Sequence, residues 1–155
     1  MEARTSSSLV IEREVHIDAS PETVFAFFTD PALMVRWKGA KATLDPRPGG
    51  IYRVEMSEQV IAVGEYVELD PPNRLVLTWG WEGGYAGTPP GSSTVEITLA
   101  PDGDGTRVHL VHSNLPSPEA AEAHGLGWDL YIPRLAIAAA GGDPGPEPHA
   151  PEEES

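Results

Sequence analysis

Pro46-Arg47-Pro48-Gly49-Gly50 runs directly into Ile51-Tyr52-Arg53-Val54-Glu55-Met56, and Asp70-Pro71-Pro72-Asn73-Arg74 runs into Leu75-Val76-Leu77-Thr78-Trp79-Gly80-Trp81. Each phrase is a turn of proline, glycine and Asx residues that launches a strand rich in β-branched and aromatic side chains. Both lie between short helical segments on the N-terminal side and one long helical segment on the C-terminal side. That order suggests an antiparallel sheet gripping a helix, with a pocket between the two.

Between the two phrases and beyond them, from Lys41 to Ser113, every segment reads as strand or turn. Ala42 to Asp45 is a short strand, and Val60 to Leu69 is a longer one in which Gly64 is expected to mark a bulge. Gly83 to Gly91 reads as a long flexible loop. Ser93 to Ala100 and Thr106 to Ser113 alternate apolar and polar residues across an Asp102-Gly103-Asp104-Gly105 hairpin turn. The alternation puts Val108, Leu110 and His112 on one face. On the N-terminal side, Leu9 to Asp18 alternates with its odd-numbered residues inward. Ser20-Pro21-Glu22 and Asp30-Pro31 are cap-then-proline starts for two short helices of about two turns each. The first carries Val24, Phe25, Phe27 and Phe28; the second carries Leu33, Met34 and Trp37.

Ser117-Pro118 opens the last helix by the same logic, and Gly141-Gly142 closes it. Counted from Pro118 to Ala140 it would extend ~34 Å, with a kink expected near Asp129 to Pro133 because proline removes one backbone hydrogen bond. Residues 1–8 read as a disordered leader, 9–140 as the folded domain, and 141–155 as an acidic Pro/Gly-rich disordered tail with no core-forming residues.

At 155 residues the chain is one domain with tails. It has no cysteine, which excludes disulfides, thiol catalysis and cysteine metal sites. The start is not a secretory signal, and no run of about 18 apolar residues exists to span a bilayer. A cytoplasmic location is the default. The formal net charge is −14, and outside the last 15 residues 19 acidic residues still face 10 basic ones. Such a surface repels phosphate backbones and anionic membranes, so neither nucleic acid nor membrane is an expected partner.

With the elements in this order the chain resembles the START-like (birch-pollen-allergen-like, SRPBCC) helix-grip superfamily, and within it the heat-shock protein 90 ATPase activator homologue-like group. The matching phrases are Ala19-Ser20-Pro21-Glu22-Thr23-Val24-Phe25, Trp37, Pro48-Gly49-Gly50, Gly64-Glu65-Tyr66, Pro71-Pro72-Asn73-Arg74-Leu75, Thr78-Trp79, Gly105-Thr106, His112, and His124 followed by Gly127-Trp128. The resemblance covers about residues 9 to 140. It implies an α+β helix-grip fold: a curved antiparallel sheet of about seven strands, two short helices, and a long C-terminal helix enclosing a cavity. Eukaryotic co-chaperone members of the group carry an additional N-terminal chaperone-binding domain, and some members of the superfamily are cyclases or dehydratases.

The candidate ligand-binding residues are Tyr52, Trp79, Trp81, His112, His124, Trp128 and Tyr131. Trp and Tyr combine apolar area with one polar handle, as a pocket for amphipathic molecules requires; ordinary sheet-to-helix packing is the competing reading. His112 on its strand and His124, one turn before Trp128, are expected to meet at one end of the cavity. There neutral imidazoles can bond a ligand oxygen, or simply satisfy one another and the backbone. No histidine spacing suits a metal, and His112 and Ser113 point opposite ways, so no catalytic residue, metal or cofactor is expected. The expected partner is a hydrophobic or amphipathic small molecule bound by a monomer or homodimer. The alternatives are a cyclase- or dehydratase-type enzyme using the cavity histidines, and a chaperone cofactor or protein-interaction module.

Overall fold

The computed structural model describes residues 9–145 and 148, with the backbone alone at 85–87. The expected leader, 1–8, lies outside these residues, as do 146, 147 and 149–155 of the expected tail. The strands are β1 (Ile11–Ile17), β2 (Lys41–Leu44), β3 (Ile51–Glu55), β4 (Ile61–Asp70), β5 (Arg74–Trp79), β6 (Ser93–Asp102) and β7 (Gly105–Ser113). They form one seven-stranded antiparallel sheet in the order β1-β7-β6-β5-β4-β3-β2. The helices are α1 (Pro21–Thr29), α2 (Pro31–Met34) and α3 (Pro118–Ala139). This is the α+β helix-grip architecture.

Local chemistry sets the helix ends. The side chains of Ser20, Asp30 and Ser117 accept from the backbone N–H groups of Thr23, Ala32 and Ala120, each with proline at the first helical position. At the far end of α3, Gly141 takes φ +98° while its N–H donates to Ala138 O and that of Gly142 donates to Ile137 O. This paired closure needs a left-handed residue, which glycine supplies without strain.

Three details depart from the sequence reading. The second short helix is one turn, so Trp37 sits in the turn that follows it, with its indole N–H donating to Phe27 O at 3.1 Å. The irregularity in β4 falls between Tyr66 and Glu68, not at Gly64. Gly64 marks a close approach instead: a Cβ there would stand 1.8 Å from Thr78 O. The 83–91 segment contains a 3₁₀ turn over Glu82–Gly87, tied back by Trp81 N–H donating to Thr88 O at 2.8 Å.

Inward-facing residues alternate along every central strand: Tyr52 and Val54, Leu75, Leu77 and Trp79, Val95, Ile97 and Leu99, Val108, Leu110 and His112 are all buried. They form one core with Val24, Phe25, Phe27 and Phe28 of α1 and with Trp128, Tyr131, Leu135 and Ala138 of α3. The helix is locked to the sheet edge by Arg13 of β1, which donates to Asp129 at 2.6 Å and to Gly125 O. α3 is one element of 22 residues despite Pro133, which is exposed.

Candidate functional site

At one end of the grip the aromatic residues of β3, β5 and α3 converge on a residue that the sequence reading did not single out. Lys38, in the turn after α2, is 1% exposed. Its Nζ lies 3.7 Å from the centroid of the Trp79 ring, 5.0 Å from that of Trp128, 5.6 Å from that of Tyr52 and 6.0 Å from that of Trp37. It donates to the Tyr52 hydroxyl at 3.1 Å. The ammonium therefore sits in an aromatic box, where ring quadrupoles offset part of the cost of taking the charge out of water. The turn itself aims Lys38 inward. Its N–H donates to Met34 O, and the following Gly39 has φ +88° with no room for a side chain, since a Cβ would be 2.4 Å from Val54 Cγ1.

Trp79 is the hub. Its ring lies 5.8 Å from Tyr52, 5.4 Å from Trp81, 5.7 Å from His112 and 5.3 Å from Trp128 between centroids. Its own Nε1–H is buried and has no hydrogen-bond partner. The remaining ring nitrogens of the cluster are spent. Trp128 Nε1–H donates to His112 Nδ1 at 3.0 Å, so His112 carries its proton on Nε2 and donates to Ser93 Oγ at 2.8 Å. The Ser93 hydroxyl in turn donates to Trp79 O at 2.8 Å. Trp81 Nε1–H donates to His124 Nε2 at 2.9 Å, and His124 Nδ1–H donates to Ala120 O at 2.7 Å. The two imidazoles pack edge to face at 4.9 Å.

Six of the seven candidate residues are thus brought into mutual contact: Tyr52, Trp79, Trp81, His112, His124 and Trp128. Tyr131 is buried on the same face of α3, one turn beyond Trp128. Sequence reasoning missed Lys38 and Ser93. A lone lysine defaults to solvent, and only the tight Trp37-Lys38-Gly39 turn could have hinted otherwise. Ser93 pairs with His112 across neighbouring strands, a relation no sequence spacing encodes.

The electrostatics follow from burial. His112 is pushed down to about 2 by loss of solvent, then by the nearby His124 and the Lys38 ammonium. Burial also lowers His124, against a raising contribution from its bond to Ala120 O, and Lys38 lowers it further. The Tyr52 hydroxyl is driven well up by burial. Both histidines are therefore neutral, each with a set tautomer. The Ser93–His112 pair cannot work as nucleophile and base, because the nitrogen facing Ser93 already holds the proton and the serine proton points at a carbonyl. Among the described residues no group of three His, Asp or Glu could hold a metal ion. No helix among them is long and apolar enough to cross a membrane. A separate groove of about 540 Å³ opens on the outward face of the sheet, lined by residues including Ile51, Val63, Glu65, Thr78 and Pro90.

A long C-terminal helix packed against one antiparallel sheet defines the helix-grip class. Residues 18–140 match the family model of Activator of Hsp90 ATPase homolog 1-like proteins, and the chain belongs to that family. It is 43% identical to an AHSA1-like protein from Rhizobium etli, with 94% of this chain and 91% of that one covered at a TM-score of 0.72. CalU16 from Micromonospora echinospora is 30% identical, with 94% and 75% covered and a TM-score of 0.72. The human activator of 90 kDa heat shock protein ATPase homolog 1 is 26% identical over 115 residues, 72% of this chain and 31% of that protein. The chain spans about a third of the length of the curated relatives it matches, 34% and 31%.

Proposed function

We propose that residues 9–140 are a binding domain for a small amphipathic molecule, taken up at the aromatic end of the grip. The observation that carries this reading is the convergence of Trp37, Tyr52, Trp79 and Trp128 around a buried ammonium, with one buried indole N–H left unmatched on Trp79. A buried donor without a partner costs about 1–3 kcal/mol, and a ligand oxygen would recover it. The cysteine-free sequence fits a cytoplasmic setting. Binding is favoured over cyclase or dehydratase chemistry because both histidines have every ring nitrogen engaged within the protein. A general acid or base needs a nitrogen within reach of the substrate proton.

A protein-interaction role is the second reading. It is supported by an apolar stripe on the outward face of α3, where Leu126, Leu130 and Ile137 are 66%, 43% and 46% exposed. Native mass spectrometry of freshly purified protein separates the two. A retained non-covalent mass on the 16.6 kDa chain supports ligand binding. A bare chain, together with no thermal shift from a panel of aromatic amphiphiles, removes that reading and leaves the stripe.

A further inference from the structure

We propose that the groove of about 540 Å³ on the outward face of the sheet is a second binding site, and that its ligand is a small organic cation: a primary ammonium or guanidinium on an apolar stem. The site lies across the sheet from the aromatic cluster and is independent of what that cluster binds.

Glycine backbone opens the groove, and three apolar side chains line it. Gly49 before β3 and Gly91 before β6 take φ +84° and +74°, and neither carries a side chain that could fill the space. The paired register of β4 and β5 stops here at Tyr66 and Leu77, and Glu65 N–H donates to the Thr78 hydroxyl oxygen at 2.9 Å. Ile51, Val63 and Pro90 supply the apolar surface, with Ile51 42% exposed. Ile51 and Glu65 are direct partners in the β3–β4 register, which puts their Cβ atoms about 5 Å apart. Among the described residues lining the groove, Glu65 alone is ionisable, and its carboxylate has no hydrogen bond or ion pair. The neighbouring cation, Arg53, is already held by Glu55 and Glu82. A volume of this order suits a small molecule. An anion would meet Glu65 and, beyond it, a chain of net charge −14. A neutral ligand would take water from the carboxylate and return nothing. A cation on an apolar stem satisfies both parts: its head pairs with Glu65, and its stem lies along Ile51, Val63 and Pro90 as a lysine stem lies on apolar surface. The field of the whole chain draws cations to every face, whereas only Glu65 would hold one in this groove.

The test uses monodansylcadaverine, a fluorophore on an alkyl stem that ends in an ammonium, and its neutral N-acetyl derivative. Each is titrated into the folded full chain and into Glu65→Gln, Ile51→Ser and Glu122→Gln. The last removes the same charge from an exposed position on α3. All three positions are exposed, so circular dichroism of each variant should match the wild type. The expected result is saturable binding with the ammonium probe about three- to fivefold tighter than the acetylated one, the upper range for one exposed ion pair. Added salt should narrow that ratio. Glu65→Gln should bring it close to one, Glu122→Gln should leave it as in the wild type, and Ile51→Ser should weaken both probes together. Equal binding of the two probes, a ratio that survives in Glu65→Gln, or the same fall in both charge variants overturns the proposal. Unchanged affinity in Ile51→Ser, or binding of neither probe, overturns it as well. If acetyl-Ala-Lys-Ala-amide displaces the probe at lower concentration than pentylamine does, the occupant is a protein segment and the small-molecule assignment falls.

Discussion

Trp128 Nε1–H donates to His112 Nδ1 at 3.0 Å, and this one bond determines which imidazole nitrogen carries the proton. It makes His112 a relay of structure between α3 and β6, with Trp128 on one side and Ser93 on the other. Replacing His112 by alanine should therefore cost about 2–5 kcal/mol in urea unfolding, the sum of a small cavity and the buried Trp128 indole N–H left unmatched. A loss below about 1 kcal/mol would mean that the relay is not part of the fold's support.

The burial of His112 has a pH signature. His112 has its ordinary value of 6.5 in the unfolded chain and about 2 when folded, so the unfolded state binds the extra proton. Stability is then fully present above the unfolded value and falls as the pH drops below it, by about 1.4 kcal/mol per pH unit for one such group. His124, lowered chiefly by burial, acts in the same direction. His16 opposes them. Its bonds to Asp102 and Asp18 raise it, so its contribution is present at low pH and lost as the pH rises through its folded value. Urea midpoints between pH 7 and pH 5 should fall in the wild type and flatten in a stable His112 variant. An unchanged slope would show that His112 is protonated when folded.

Trp128 is 5% exposed, stacks at 5.3 Å from Trp79, and anchors the gripping helix. Trp128→Ala should cost about 3–5 kcal/mol. Any loss of ligand binding should track this loss of folded protein when followed by thermal melting. Wild-type stability in this variant would place the residue outside the core.

Arg134 ties the segment beyond α3 to the domain. Its guanidinium donates to Trp37 O, Pro144 O and Gly145 O, each at 2.9 Å. Truncation after Gly145 keeps those bonds and should leave stability within about 0.5 kcal/mol of wild type. Truncation after Gly141 removes the last two of them and the Gly142 end of the helix closure. It should cost about 1–2 kcal/mol. Equal melting temperatures for the two truncations would show that Arg134 finds water just as good a partner.

The elements were legible because each rests on neighbours in the chain. Ser20-Pro21, Asp30-Pro31 and Ser117-Pro118 are helix starts whatever else the protein does, and the turn at Gly103 closes a hairpin on its own chemistry. Period-two alternation put Tyr52 and His112 inward, and period-3.6 spacing put His124 and Trp128 on one helical face. These rules depend on backbone geometry over a few residues, and the sequence contains them whole.

The site was decided by packing. Lys38 carries no local mark of burial; it lies inside because the α2–β2 turn delivers it beneath the Trp79 ring, where quadrupole attraction and the Tyr52 hydroxyl offset its desolvation. Ser93 meets His112, and Trp81 meets His124, through a strand register and a helix approach that join residues 19 and 43 positions apart. Sequence alone could list the aromatic and imidazole rings, but which nitrogen donates to which is a property of three dimensions. Both histidines are held neutral chiefly by burial, which is complete only when β6, β7 and α3 close on one another and exclude water.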